Sequence, residues 1–96
     1  MIVEISGRAI HTERDLHRAL AGPLEFGQYY GYSLAALRDR LLTDVERPVR
    51  LVWHDADASR ANLGPALFRR ILDVLDEAQE QDTAFGWEDR FVYELR

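Results

Sequence analysis

The chain has 96 residues, no cysteine and a net charge of −5, seventeen acids standing against twelve basic residues, all of them arginine. That length suits one domain, 1–96, with a modest core; a disulfide framework is excluded, and no stretch approaches the roughly 18 apolar residues of a membrane span. The acidic balance disfavours direct binding to nucleic acid and would attract a basic partner instead, mainly by speeding encounter.

In chain order, Ile2 to Ile5 is short, mostly apolar and interrupted by Glu4, which predicts a first strand and not a secretion signal. With no cysteine to protect, a cytoplasmic location is expected. Ser6-Gly7 ends that strand. Thr12 can cap a helix whose third position is Asp15, a variant of the capping box; Leu16, Ala19 and Leu20 form its apolar face, and Gly22-Pro23 stops it. Phe26 to Tyr30 is predicted as a loop with a helical turn. Ser33 is a good N-cap for a short helix with Leu34, Leu37 and Leu41 on its inner side. Val49-Arg50-Leu51-Val52-Trp53, after Pro48, is a strand by its β-branched and aromatic content. His54 to Asn62 is expected to be a polar connection, mobile from Ala56 onward. Pro65 can open a long helix running to about Gln81, with Leu67, Ile71, Val74, Leu75 and Ala78 facing inward, and the Gln81 to Trp87 turn is expected to be mobile. Phe91-Val92-Tyr93-Glu94-Leu95 closes the chain as a strand. Strands alternating with helices predict an α/β fold: a small three-stranded parallel sheet with helices packed against it.

The segment from Glu25 to Leu41 carries the strongest functional signal. It sets Tyr29, Tyr30, Gly31 and Tyr32 directly before the short helix, on which Asp39 lies off the apolar stripe and should point outward. Rigid tyrosines give contact area at little entropic cost, and an outward carboxylate can pair with arginine on a partner. The plainer alternative is a loop of packed tyrosines beside a solvated Asp39.

Tyr29-Tyr30-Gly31, followed by Leu34, Ala36-Leu37, Asp39 and Leu41, closely resembles the signature of the barstar family, small intracellular inhibitors of bacterial ribonucleases. The resemblance extends to Gly7, Ile10-His11-Thr12 and Asp15-Leu16-His17 upstream, and to Pro48-Val49, Leu51-Val52-Trp53 and Val74-Leu75-Asp76-Glu77-Ala78 downstream. It implies a barstar-like sheet-and-helix domain that binds a small secreted guanyl-type ribonuclease 1:1, as a monomer when free. It further implies that Asp39 enters the enzyme's phosphate site, that Tyr29 packs against its catalytic face and that Glu77 supplies a second acid. Inhibition of this kind is occlusion by carboxylates placed where RNA phosphates would sit. It needs no catalysis, cofactor or metal, and it protects the producing cell from its own nuclease.

The chain also departs from the family pattern. A second aspartate one turn before Asp39 is replaced by Ala35, a tryptophan by Arg38, and an acid after the tyrosine pair by Tyr32, while Arg40 follows Asp39. Tyr32 is expected to add aromatic contact. Arg38 and Arg40 either face the partner or form local ion pairs of small worth. Two rival readings follow: immunity against a different nuclease toxin, or a regulatory interaction domain without a nuclease partner.

Other clusters carry less. Asp73, Asp76, Glu77, Glu80 and Asp82 form an acidic run, of which 73, 76, 77 and 80 share one helix face, ordinarily a solvated one. His54-Asp55-Ala56-Asp57 follows a strand, where ligand sites of α/β sheets often lie, but its spacing matches no metal or catalytic motif. His11 and His17 have no companion ligands and are read as structural.

Overall fold

The computed structural model describes residues 1–96. Strand β1 (Ile2–Ser6) leads through a 3-10 turn (Gly7–Ala9) to helix α1 (Glu13–Ala21). A loop then reaches α2 (Leu34–Asp39), which runs directly into a π-helical turn (Arg40–Asp44). Strand β2 (Val49–His54), helices α3 (Ala56–Leu63) and α4 (Pro65–Ala84) and strand β3 (Phe91–Leu95) complete the chain. The three strands form one parallel sheet in the order β1-β2-β3, as the alternation of elements predicts.

Register explains the core. Val3 pairs with Leu51 and Leu51 with Tyr93, while Ile5 pairs with Trp53, so one sheet face carries a continuous apolar layer beneath the helices. Trp53 and Phe91 are fully buried, and the Trp53 ring stacks at 5.3 Å on Phe68 of α4. Each fully buried large side chain here contributes about 1.5–3 kcal/mol. The opposite face is largely polar and carries the Arg50–Glu94 ion pair and a His54–Glu4 hydrogen bond.

The local signals act as expected at α1. Thr12 Oγ1 accepts the Asp15 N–H at 3.2 Å and the Asp15 carboxylate accepts the Thr12 N–H, a reciprocal capping box. Gly7 has a tertiary reason: a β-carbon there would lie 2.1 Å from the Asp55 carbonyl oxygen, so only glycine lets the turn after β1 approach the end of β2.

Two expectations are corrected. Residues 56–63 are helix α3 and not a polar connection. The helix is held from inside by Ser59, whose hydroxyl accepts from Trp53 Nε1 and donates to the Gly7 carbonyl, each at 3.0 Å. In α4 the buried stripe is Phe68, Ile71, Leu72, Leu75, Ala78 and Asp82, with Leu67 and Val74 only half-buried at its border.

Candidate partner-binding face

The loop between α1 and α2 is built around Tyr30. Its ring is buried against Phe26 at 4.6 Å and Tyr32 at 5.3 Å, and its hydroxyl lies 2.6 Å from Nδ1 of His17, itself fully buried on α1. Nε2 of His17 is 3.0 Å from the Glu13 carboxylate, one turn earlier. Because that carboxylate can only accept, a neutral imidazole here carries its proton on Nε2, and its Nδ1 then accepts from the Tyr30 hydroxyl. Burial, reinforced by the negative charge of Glu13, pushes the Tyr30 phenol well above its ordinary range, so it stays protonated and keeps donating.

With Tyr30 facing inward, Tyr29 is the tyrosine presented to solvent, at 87% exposure. Tyr32 takes an intermediate position. Its backbone is left-handed (φ +51°), its ring stacks on Tyr30, and the Arg14 guanidinium sits 5.0 Å from its centroid. A left-handed non-glycine residue is uncommon and persists where its surroundings over-determine it. Gly31 is exposed, and a β-carbon there would make only ordinary contact with Ala36, so space alone does not require glycine.

Helix α2 is capped by Ser33, whose hydroxyl oxygen accepts the Ala36 N–H at 3.1 Å; the helix buries Leu37 completely, and the turn that follows it buries Leu41. Asp39 points outward on this short helix, and its carboxylate has no hydrogen-bond or ion-pair partner within the chain. Directly after it the chain widens into the π-helical turn, closed by the Val45 N–H on the Arg40 carbonyl at 3.0 Å. Such turns are rare and often lie at functional sites. Arg47 locks this one by donating to the Leu41 and Val45 carbonyls, each at 2.6 Å.

Arg47 in turn holds Asp82 through two hydrogen bonds, at 2.8 and 3.1 Å. Asp82 is fully buried and also accepts the Phe91 N–H at 2.7 Å, tying the turn after Asp39 to α4 and β3. Burial alone would raise its pKa, but the Arg47 and Phe91 hydrogen bonds outweigh it and hold the carboxyl below the usual carboxylate range. Asp82 is therefore not part of a solvated acidic face.

The remaining acids of α4 are mostly compensated. Glu77 accepts from Arg38 of α2 in a two-point pair, at 2.5 and 3.0 Å. Arg69 bridges Asp73 and Asp76, and the Tyr93 hydroxyl donates to Asp76. Arg40 pairs with Asp44 at 3.5 Å. Among the outward carboxylates Asp39, Asp44 and Glu77, only Asp39 lacks an intramolecular cation. The structure thus places Tyr29 and Asp39 free at the surface, Tyr32 half-packed beneath Arg14, Arg38 and Glu77 bonded to each other, and Tyr30 inside. The Arg38–Glu77 bond escapes sequence reasoning because 39 positions separate the partners.

The other clusters do not converge. His54 faces Glu4 at 2.9 Å, Asp55 faces Arg8 at 3.4 Å, and no group of three His, Asp or Glu side chains is placed to hold a metal ion. His11 Nδ1 accepts from the Asn62 amide at 3.1 Å. No helix is long and apolar enough to cross a membrane.

A parallel three-stranded sheet carrying a tyrosine loop and a short helix with one free aspartate is the layout of a small α/β binding module. Comparison with known proteins assigns it. The family described as "Barstar (barnase inhibitor)" matches residues 1–94, and the chain belongs to the barstar family. It is also 38% identical over 77 residues to a Bacillus subtilis (strain 168) protein named "Putative ribonuclease inhibitor YrdF", an alignment covering 80% of this chain and 84% of that one.

Proposed function

We propose that this chain is a ribonuclease inhibitor and not a catalyst, acting in the cytoplasm as a single domain and a free monomer. It binds a small secreted guanyl-type ribonuclease 1:1 and blocks its basic active site. The observation that carries this reading is Asp39: an exposed carboxylate with no internal partner, on the helix that follows the loop presenting the exposed Tyr29, in a chain of the barstar family. A ribonuclease cleft holds phosphate with cationic side chains, and a carboxylate delivered on a rigid helix makes charge-assisted hydrogen bonds with those same groups. Tyr29 supplies apolar area beside it at little entropic cost, while Tyr30, Gly31 and Tyr32 hold the loop that presents it. Arg38 and Glu77 flank the face as a neutral pair. The net charge of −5 speeds encounter with a basic enzyme. The biological role is immunity of the producing cell to its own nuclease.

RNA cleavage by barnase and by other secreted guanyl-type ribonucleases, titrated with the chain, tests this reading. Activity of at least one enzyme is expected to vanish at one molar equivalent. Undiminished cleavage by all of them at tenfold excess would contradict it and favour a different toxin or a regulatory partner.

A further inference from the structure

Arg38 meets Glu77 in the geometry that an arginine of another protein would use. Its Nε lies 2.5 Å from Oε2 and its Nη2 3.0 Å from Oε1, the two-point arrangement of guanidinium on carboxylate. Both side chains are about half exposed, so an approaching protein can reach them. They come from different helices, α2 and α4, and Arg38 directly precedes Asp39, which sets the pair at the rim of the candidate face. The Arg38 cation also feels the neighbouring Asp39 carboxylate. A half-exposed ion pair contributes little to stability; what this one changes is the set of charges that α2 and α4 offer a partner.

We infer that Arg38 is a specificity residue: it occupies Glu77 as an intramolecular competitor and withholds that carboxylate from the inhibited ribonuclease. The inference rests on the inhibitor reading and adds a filter to it. A nuclease that presents one cation, to Asp39, binds without disturbing the pair. A nuclease whose tight binding needs a second cation on Glu77 must first displace Arg38. It then holds an unpaired arginine against its own basic surface, and like charge juxtaposed across an interface costs affinity and rejects the partner. The charges of the pair cancel, so the filter works by removing a contact and not by offering a new one.

The test compares dissociation constants of the native chain, Arg38→Ala, the double variant Arg38→Ala/Glu77→Gln and Asp39→Ala against barnase and other secreted guanyl-type ribonucleases. At least one enzyme is expected to bind Arg38→Ala about tenfold more tightly than the native chain, the scale of one added charge contact across an interface. That gain should shrink as salt is raised and vanish in the double variant, because it belongs to the released Glu77 carboxylate. Thermal midpoints close to native in both variants would place the effect at the interface and not in folding. If Arg38→Ala binds every enzyme no more tightly than the native chain while Asp39→Ala fails, only this inference falls. A gain that persists in the double variant would mean that Arg38 repels the enzyme directly, and would overturn Glu77 as the withheld contact. Failure of the native chain and of Arg38→Ala to bind any of the enzymes would overturn both the filter and the inhibitor reading.

Discussion

Arg38 on α2 and Glu77 on α4 grip each other through two hydrogen bonds, at 2.5 and 3.0 Å, across the face that presents Asp39. Both residues resemble partner contacts when read in sequence, and in the fold each is the other's partner. The pair is about half exposed, so its worth to stability is small. Its electrostatic effect is larger: it neutralises the acid flanking Asp39, whose own carboxylate has no cation within the chain.

The clasp can be checked directly. The hydrogen bond from Arg38 holds the Glu77 carboxyl below the usual carboxylate range, and that lowering outweighs the opposing effect of desolvation. In Arg38→Ala, NMR titration of side-chain carboxyls should show the Glu77 midpoint rising toward the ordinary glutamate value while thermal stability barely changes. A Glu77 midpoint identical in both proteins would mean that the clasp does not form in solution.

Tyr30 supports the loop from beneath. Tyr30→Phe keeps the ring but removes the hydroxyl that donates to the buried His17 Nδ1, leaving an unsatisfied acceptor at a cost of about 1–2 kcal/mol. Urea unfolding should reveal that loss in the midpoint with an unchanged slope. A midpoint equal to the native one would show that water or another donor replaces the hydroxyl.

Asp82 and Arg47 are the buried ion pair beneath the turn that follows Asp39. Removing one member, as in Arg47→Ala, should destabilise the protein by about 3 kcal/mol, because the other charge is left buried and alone. The folded-state pKa of Asp82 is depressed, so its contribution is fully present above the unfolded value of about 3.9 and is lost as pH falls through the lower folded value. Denaturant midpoints measured from pH 6 to pH 2 should therefore fall at the acid end. The fall should be shallower in Asp82→Asn, which starts less stable but no longer loses this pair. Parallel pH profiles for the two proteins would count against the assignment.

Much of the fold was legible because its signals are local. Thr12 and Asp15 mark the start of α1, Ser33 that of α2 and Pro65 that of α4, and the three strands announce themselves by apolar and aromatic runs. Helix α3 was not legible, since Ala56-Asp57-Ala58-Ser59-Arg60-Ala61-Asn62 has no apolar stripe and buries only Ala56 and Ser59. Its one usable signal was Gly64-Pro65, a glycine at positive φ ending one helix followed by a proline that starts the next. Asp82 looked solvated because a carboxylate usually is, yet Leu75, Ala78 and Asp82 continue one stripe at helical spacing. Within the candidate face, the outward aspartate followed from helix phase. The inward turn of Tyr30 and the Arg38–Glu77 clasp depend on residues 13 and 39 positions away, beyond the reach of any local pattern.

The central claim is that Asp39 anchors a ribonuclease. Titration calorimetry of the native chain and Asp39→Ala against secreted guanyl-type ribonucleases tests it most directly. Tight 1:1 binding of the native chain is expected, with a loss in the variant of about 2 kcal/mol or more, a hot-spot scale to which a member of this same family contributed. Equal affinity of the two proteins, or no binding by the native chain, would contradict the account.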